Sequence, residues 1–274
     1  MIQEHPIKNI PAALWVSRIL TSDYIRDVIE AMTELSIIWS ILMNKIFSRI
    51  YTGVSGKILR TIDRCIDIRI CGQSLVRYVP SVYRDDVNGV GMTGSQSTSY
   101  IILERIFSRV SLTEQDVFLD VGCGKGRVLA FLLKKHDPCK ICGIEINEVS
   151  GQVALDWSRK YEHVNVIMGD AFQLDYTPYT VLFLGRPFLP KTFEQFIEKI
   201  ETSVTHPITL IYWVDQQSGY LLRDRPGWEM SFREKLKSVC GLKIAKVPQS
   251  YSIWRYNPIR QMQSGEGNLD ACNN

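Results

Sequence analysis

Residues 118–132 read FLDVGCGKGRVLAFL. An apolar, strand-like run carries Asp120 near its end, a turn follows with Gly122, Gly124 and Gly126, and helical spacing of apolar residues then begins. Glycines let a backbone turn tightly and approach a ligand closely. A helix opening near Gly126 aims free N–H groups at the same place. Such a turn marks a nucleotide-type pocket and alone says no more. Two acids sharpen it. Glu145 ends CGIEI, roughly twenty residues past the glycines, where a carboxylate accepts hydrogen bonds from ribose hydroxyls; the plainer alternative is a surface acid at a strand end. Asp170, in MGDAF, ends another strand at the same edge. Its carboxylate can accept from the exocyclic amine of a base, with the Ala171 N–H beside it, or it can simply cap a helix.

These residues need a scaffold that brings strand ends together. From 116 to 256 the chain alternates: VFLDV, KICGIEI, VNVIMGD, TVLFLG and PITLIYWV read as strands, with helices in GRVLAFLLKKH, NEVSGQVALDWSRKY and KTFEQFIEKIETSV. WEMSFREKLKSV reads as one more helix, after which LKIAKV and YSIWRY make an antiparallel pair across a PQS turn. The alternation predicts an α/β fold, a doubly wound and mostly parallel sheet closed by a C-terminal antiparallel pair. Ligands of such sheets sit at the carboxyl ends of the strands, near the point where strand order reverses.

An N-terminal helical segment, 1–83, precedes this unit. AALWVSRIL and DYIRDVIEAMTELSIIWSILMNKIF show helical spacing, with Ser22 or Asp23 as cap. Gly53 and Gly56 break the pattern before a short helix around KILRTIDRCIDI, and nothing there looks catalytic. Residues 84–96 form a Gly/Ser-rich loop, either a lid over the glycine turn or a plain linker. The α/β domain then spans 97–260, opening with a helix in SYIILERIFSRV capped by Ser97 or Thr98, and residues 261–274 form a polar, disordered tail.

Composition narrows the class. The 274 residues are 45% hydrophobic with a formal net charge of +3, and no basic block stands out, so nucleic-acid binding is not indicated, although it is not excluded. Seven scattered cysteines read as reduced thiols of a cytoplasmic protein; Cys139 and Cys142 form a lone C-x-x-C with no second pair at zinc spacing, so no metal is expected. The N-terminus lacks a signal-peptide pattern. The apolar stretch 35–47 is too short to span a bilayer, but with the basic residues to 64 it offers a contact for a membrane surface or a second copy of the chain.

FLDVGCGKGR, GIEIN and GDAF together resemble the motifs of class I S-adenosylmethionine-dependent methyltransferases, over roughly residues 97–256. The turn is G-x-G-x-G, not the G-x-G-x-x-G of dinucleotide dehydrogenases, which disfavours an NAD-dependent oxidoreductase. The resemblance implies that Asp120 and Gly122 hold the methionine amino end of S-adenosylmethionine, Gly124 and Gly126 form its floor, Glu145 binds the ribose, and Asp170 and Ala171 hold the adenine edge. GKGR also resembles a subgroup of bacterial methyltransferases and the Dot1-type histone-lysine methyltransferases.

On the acceptor side, amine-methylating relatives carry Asn or Asp, then Pro, then an aromatic residue. Here Pro187 and Phe188 fit and Arg186 stands where the amide or acid would be. A guanidinium only donates hydrogen bonds, so it suits an anionic acceptor group; alternatively Arg186 turns away to an acid such as Asp175 or Glu194. Asp215 at a strand end and Tyr100 are further candidates for the substrate side, Tyr100 and the Ser97–Thr98 pair are placed to border the cofactor, and no general base declares itself among the histidines. The reading is a methyltransferase for an unnamed small-molecule or macromolecular acceptor; the alternative is a catalytically silent cofactor-binding or partner subunit of the same fold.

Overall fold

The computed structural model describes residues 50–258, apart from Cys240 and Lys246. The expected helices of 11–47, the stretch 35–47 and the tail 261–274 lie outside the described residues. The described residues open with α1 (Ile50–Cys71), the short strands β1 (Arg84–Asp85) and β2 (Val90–Gly91), and α2 (Tyr100–Phe107). Next come β3 (Val117–Val121), α3 (Arg127–Lys135), β4 (Lys140–Glu145), α4 (Glu148–Ser158) and β5 (Val164–Met168). β6 (Val181–Leu184), α5 (Pro190–Ser203) and β7 (Ile208–Trp213) follow. The described residues close with β8 (Trp228–Leu236), β9 (Ser238–Val239), β10 (Leu242–Lys243) and β11 (Gln249–Tyr256).

Seven strands form one sheet in the order β5-β4-β3-β6-β7-β11-β8. The first five are parallel; β11 runs antiparallel to both β7 and β8. This is the doubly wound sheet the alternation predicts, with its antiparallel close. Strand order reverses between β3 and β6, so the crevice between their carboxyl ends is where a ligand belongs. β3 shows how the sheet is sealed. Phe118 packs into the core under α2 and α3, while Leu119 and Val121 pack into the core under α5, because alternate side chains leave opposite faces. Phe107 of α2 contacts Phe118 and Phe183 at 5.9 Å and Phe131 at 5.3 Å between ring centres. Burying each such ring contributes roughly 1.5–3 kcal/mol.

Two sequence readings need correction. WEMSFREKLKSV is not a helix but β8 and β9, and β11 pairs with β8 rather than with LKIAKV, of whose described residues only Leu242 and Lys243 are strand. The period is two: Phe232, Glu234 and Leu236 turn inward while Ser231, Arg233 and Lys235 face solvent. β8 is an edge strand, and charge on an edge strand blocks pairing with other chains. The same charges imitate a helix face in sequence. Secondly, Gly53 and Gly56 do not interrupt α1, which is one helix of 22 residues. Its apolar side, Ile66 and Cys71 with Ile62 and Ile70 beside them, packs into the main core, and that packing outweighs glycine's low helix propensity.

Candidate active site

The glycine turn leaves β3 in left-handed conformation at Gly122 (φ 72°), Gly124 (φ 58°) and Gly126 (φ 82°). None of these positions has open space for a side chain. A Cβ on Gly122 would stand 2.6 Å from the Pro187 Cβ, and one on Gly126 would stand 2.8 Å from the Trp157 ring. The turn is tied to the neighbouring strand: Gly122 and Cys123 both donate N–H to the Ile144 carbonyl, at 2.9 and 3.0 Å. Glu145 completes the link, its Oε2 accepting from the Gly124 N–H at 2.7 Å and its Oε1 from the Asn147 N–H at 2.8 Å. Each carboxylate oxygen keeps a second lone pair for a ligand hydroxyl.

A cavity of about 720 Å³ opens above these strand ends. Asp120, Gly122, Gly124, Glu145, Asp170 and Ala171 all line it; Gly126 lies beneath, against Trp157 and Ala154. Asp120 is buried, and burial, reinforced by the Glu145 charge, holds its carboxyl well above the usual range. No described cation lies in ion-pair distance of it, so a ligand ammonium would find an acid ready to ionise. Burial also raises Glu145, opposed by its backbone N–H bonds. Asp170 is exposed and caps the turn Ala171–Gln173, accepting from the Phe172 N–H at 2.9 Å. The capping alternative and the cavity position hold together.

On the acceptor side, Arg186, Pro187 and Phe188 line the same cavity. Arg186 is half-buried with φ 57°, and its carbonyl accepts from the Thr93 hydroxyl at 2.6 Å. The acids that the sequence offered it are occupied: Asp175 holds Thr177, and Glu194 lies 3.8 Å from Arg225. Two candidates fall elsewhere. Tyr100 is buried in the core and donates to Asp67 Oδ1 at 3.0 Å. Asp215 is buried in a bidentate pair with Arg233, at 2.7 and 3.1 Å, and also accepts from the Ser250 hydroxyl; it does not line the cavity. Ser97 and Thr98 do line it. Neither caps α2, whose N-cap position is Ser99. The cap is instead supplied from α1: Asp63 accepts from the Tyr100 N–H at 3.1 Å and from the Ser99 hydroxyl at 2.9 Å.

Residues 72–99 close the cavity as a bonded wall. Val79 and Ser95 exchange backbone hydrogen bonds at 3.1 and 2.8 Å, the Thr93 N–H reaches the Pro187 carbonyl at 2.8 Å, and Leu189 and Lys191 donate to Gly91 and Gly89. Arg127 clasps this wall and α1 to the glycine turn. Its guanidinium pairs with Asp67 through Nε (3.0 Å) and Nη2 (2.6 Å), and with Asp63 through Nη1 (3.3 Å); all three side chains are buried. Lys125 does the same by donating to the Arg77 carbonyl, and burial lowers its ammonium to about 8. The K and R of GKGR therefore fix the walls of the site, and Arg127 also lines the cavity. Asp63, which lines the cavity, was missed by the sequence reading; the available signal was that Asp63 and Asp67 are the only acids of α1 and share its apolar side. Among the described residues no cluster of metal-binding side chains occurs.

With the geometry in place, the relatives are informative. A family model described as histone methylation protein DOT1 matches residues 94–177. Pavine N-methyltransferase from Thalictrum flavum subsp. glaucum is 23% identical over 137 residues, 48% of this chain and 37% of that protein. A probable ribosomal RNA small subunit methyltransferase A from Methanosarcina acetivorans is 28% identical over 86 residues, 31% of each chain. A crystal structure of a methyltransferase from Pyrococcus furiosus superimposes with a TM-score of 0.49 at 14% identity, covering 75% of this chain and 100% of that one. The chain thus spans about a third of the length of the curated relatives it matches. In sheet order, glycine turn and strand-end acids the chain is similar to class I S-adenosylmethionine-dependent methyltransferases, and S-adenosylmethionine is the cofactor of that class.

Proposed function

We propose that the protein transfers a methyl group from S-adenosylmethionine to an acceptor admitted on the Arg186 side of the cavity. The observation that carries this reading is the sharing of one cavity by Asp120, Glu145 and Asp170 on one side and Arg186, Pro187 and Phe188 on the other. When bound, the cofactor supplies a methyl group already activated on a sulfonium. The protein's own task is position. Asp120 would pair with the amino group of the cofactor, Glu145 would accept from the ribose hydroxyls, and Asp170 with the Ala171 N–H would hold the adenine edge. Gly122, lacking a side chain, lets Pro187 close over the turn, so cofactor floor and acceptor wall are in contact. Arg186, held by Thr93 and paired with no described acid, would orient an anionic group of the acceptor.

The relatives' own names, one for pavine and one for a ribosomal RNA, point to different acceptors. The catalytically silent alternative rests on Arg186 replacing the amide or acid of amine-methylating relatives. Both are tested by incubating the protein with methyl-tritiated S-adenosylmethionine and separate RNA, protein and small-molecule fractions. Label appearing in one fraction with wild type but not with Glu145→Ala supports transfer. Cofactor binding with no label in any fraction favours the silent subunit and sinks the enzymatic reading.

A further inference from the structure

The net charge of the chain conceals how charge is sorted on folding. α1 carries four basic residues, Lys57, Arg60, Arg64 and Arg69, and two acids, Asp63 and Asp67. Both acids are buried against Arg127, whereas all four basic side chains are exposed. The solvent face of α1 therefore presents basic groups with no acid among them. Lys57, Arg60 and Arg64 follow one another at three- and four-residue spacing, so they form one stripe, about 10 Å long. None of the three makes an ion pair with a described residue.

This stripe leads to the mouth of the cavity. Arg60 lines the cavity itself, beside Gly56 and Asp63. The wall exposes two aromatic rings: Tyr78 (54% exposed) lines the cavity, and Tyr83 (53%) stands in sequence between Val82 and Arg84, which line it. Arg84 lies there too, but it is neutralised by Asp86 at 2.8 Å. Inside, Arg186 lies on the cavity wall without a described carboxylate partner. Basic groups spaced along a track, with exposed aromatic rings beside them, are the elements that hold a single-stranded polyanion whose units have flat faces.

A membrane surface is the other partner that a basic helix suits. It requires an apolar face turned outward beneath the charges. On α1 that face is already spent, because Ile66 and Cys71 are in the main core with Ile62 and Ile70 packed against it.

We propose that the acceptor is a single-stranded nucleic acid, tracked by Lys57, Arg60 and Arg64, with bases stacking on Tyr78 and Tyr83 and one nucleotide entering the cavity with its phosphate toward Arg186. This rests on the methyl-transfer reading above. A stripe of this length matches about three nucleotides at 3.4 Å each.

The test uses the full chain and fluorescein-labelled single-stranded RNA and DNA of about 20 nucleotides, a length that exceeds the site of one module. Fluorescence anisotropy is read as salt is raised, on wild type, on Lys57→Glu/Arg60→Glu/Arg64→Glu and on Tyr78→Ala. The triple variant is expected to bind at least tenfold more weakly, with a log–log salt slope shallower by about 2, since each phosphate contact contributes about 0.7. Tyr78→Ala is expected to lose about fivefold or more. S-adenosylmethionine binding, measured calorimetrically, should be the same for wild type and Lys57→Glu/Arg64→Glu, whose substituted residues lie outside the cavity lining. No binding of either oligonucleotide, or equal binding by the triple variant, overturns the proposal; if the cofactor still binds, the methyltransferase reading survives it. Vesicles of phosphatidylserine and phosphatidylcholine form the parallel arm. Flotation with vesicles in the absence of oligonucleotide binding assigns the stripe to a membrane and likewise overturns the proposal.

Discussion

The cavity has two halves built in different ways. The floor is made of strand ends: Asp120, Glu145 and Asp170 leave adjacent parallel strands, and their positions follow from sheet register alone. The wall is made of α1 and residues 72–99, seated by the packing of Ile66 and Cys71 in the main core and by long-range bonds, chiefly Arg127 to Asp63 and Asp67. The floor is thus determined by local backbone chemistry, and the wall by tertiary pairing. A cofactor common to many proteins needs the first kind of construction; an acceptor particular to this one needs the second.

The largest expected effect falls on the wall. Arg127→Met would leave two buried carboxylates unpaired, and should cost about 3–5 kcal/mol in chemical denaturation. A loss below about 1 kcal/mol would mean that α1 and the wall are held by apolar packing and that the clasp is dispensable. The floor is probed by Gly122→Ala. The left-handed turn and the approach to Pro187 both oppose a Cβ, so about 1–3 kcal/mol of stability should be lost together with cofactor affinity. Unchanged affinity would separate the turn from cofactor binding.

Two pH effects sharpen the contrast. Burial lifts Asp63 to about 6, against the pull of Arg127. A carboxyl raised in the folded state is protonated there while the unfolded chain has already ionised, so its contribution to stability falls as pH rises from about 4 to about 6 and is level above that. Denaturation of wild type minus that of Asp63→Asn should show this decline; a flat difference would contradict it. On the floor, burial, reinforced by the Glu145 charge, raises the Asp120 carboxyl well above its usual range. Uptake of a cationic ammonium should then release a fraction of a proton, so binding enthalpy should vary with the ionisation enthalpy of the buffer and affinity should rise with pH. Both dependences should vanish in Asp120→Asn.

The same contrast explains what was legible in the sequence. The glycines, Glu145 and Asp170 were visible because turn geometry demands particular residue types at fixed offsets from a strand. Pro187 and Phe188 were visible by order along the chain. The pairing of Asp63 with Arg127 spans 64 residues and leaves no local pattern. Tyr100 and Asp215 look available as lone residues in sequence, yet each is absorbed by a partner from another element, Asp67 and Arg233. β8 was misread because an edge strand carries its charges outward, removing the apolar face that marks an inner strand.

The central claim is that the floor holds S-adenosylmethionine through its strand-end acids. Calorimetric titration of the full chain with S-adenosylmethionine, with NAD as control, on wild type and Glu145→Ala tests it most directly. The account predicts binding of S-adenosylmethionine alone, weakened about tenfold or more by the substitution, as expected when hydrogen bonds to a charged group are lost. Equal binding by both proteins, or none by a well-folded wild type, would contradict it.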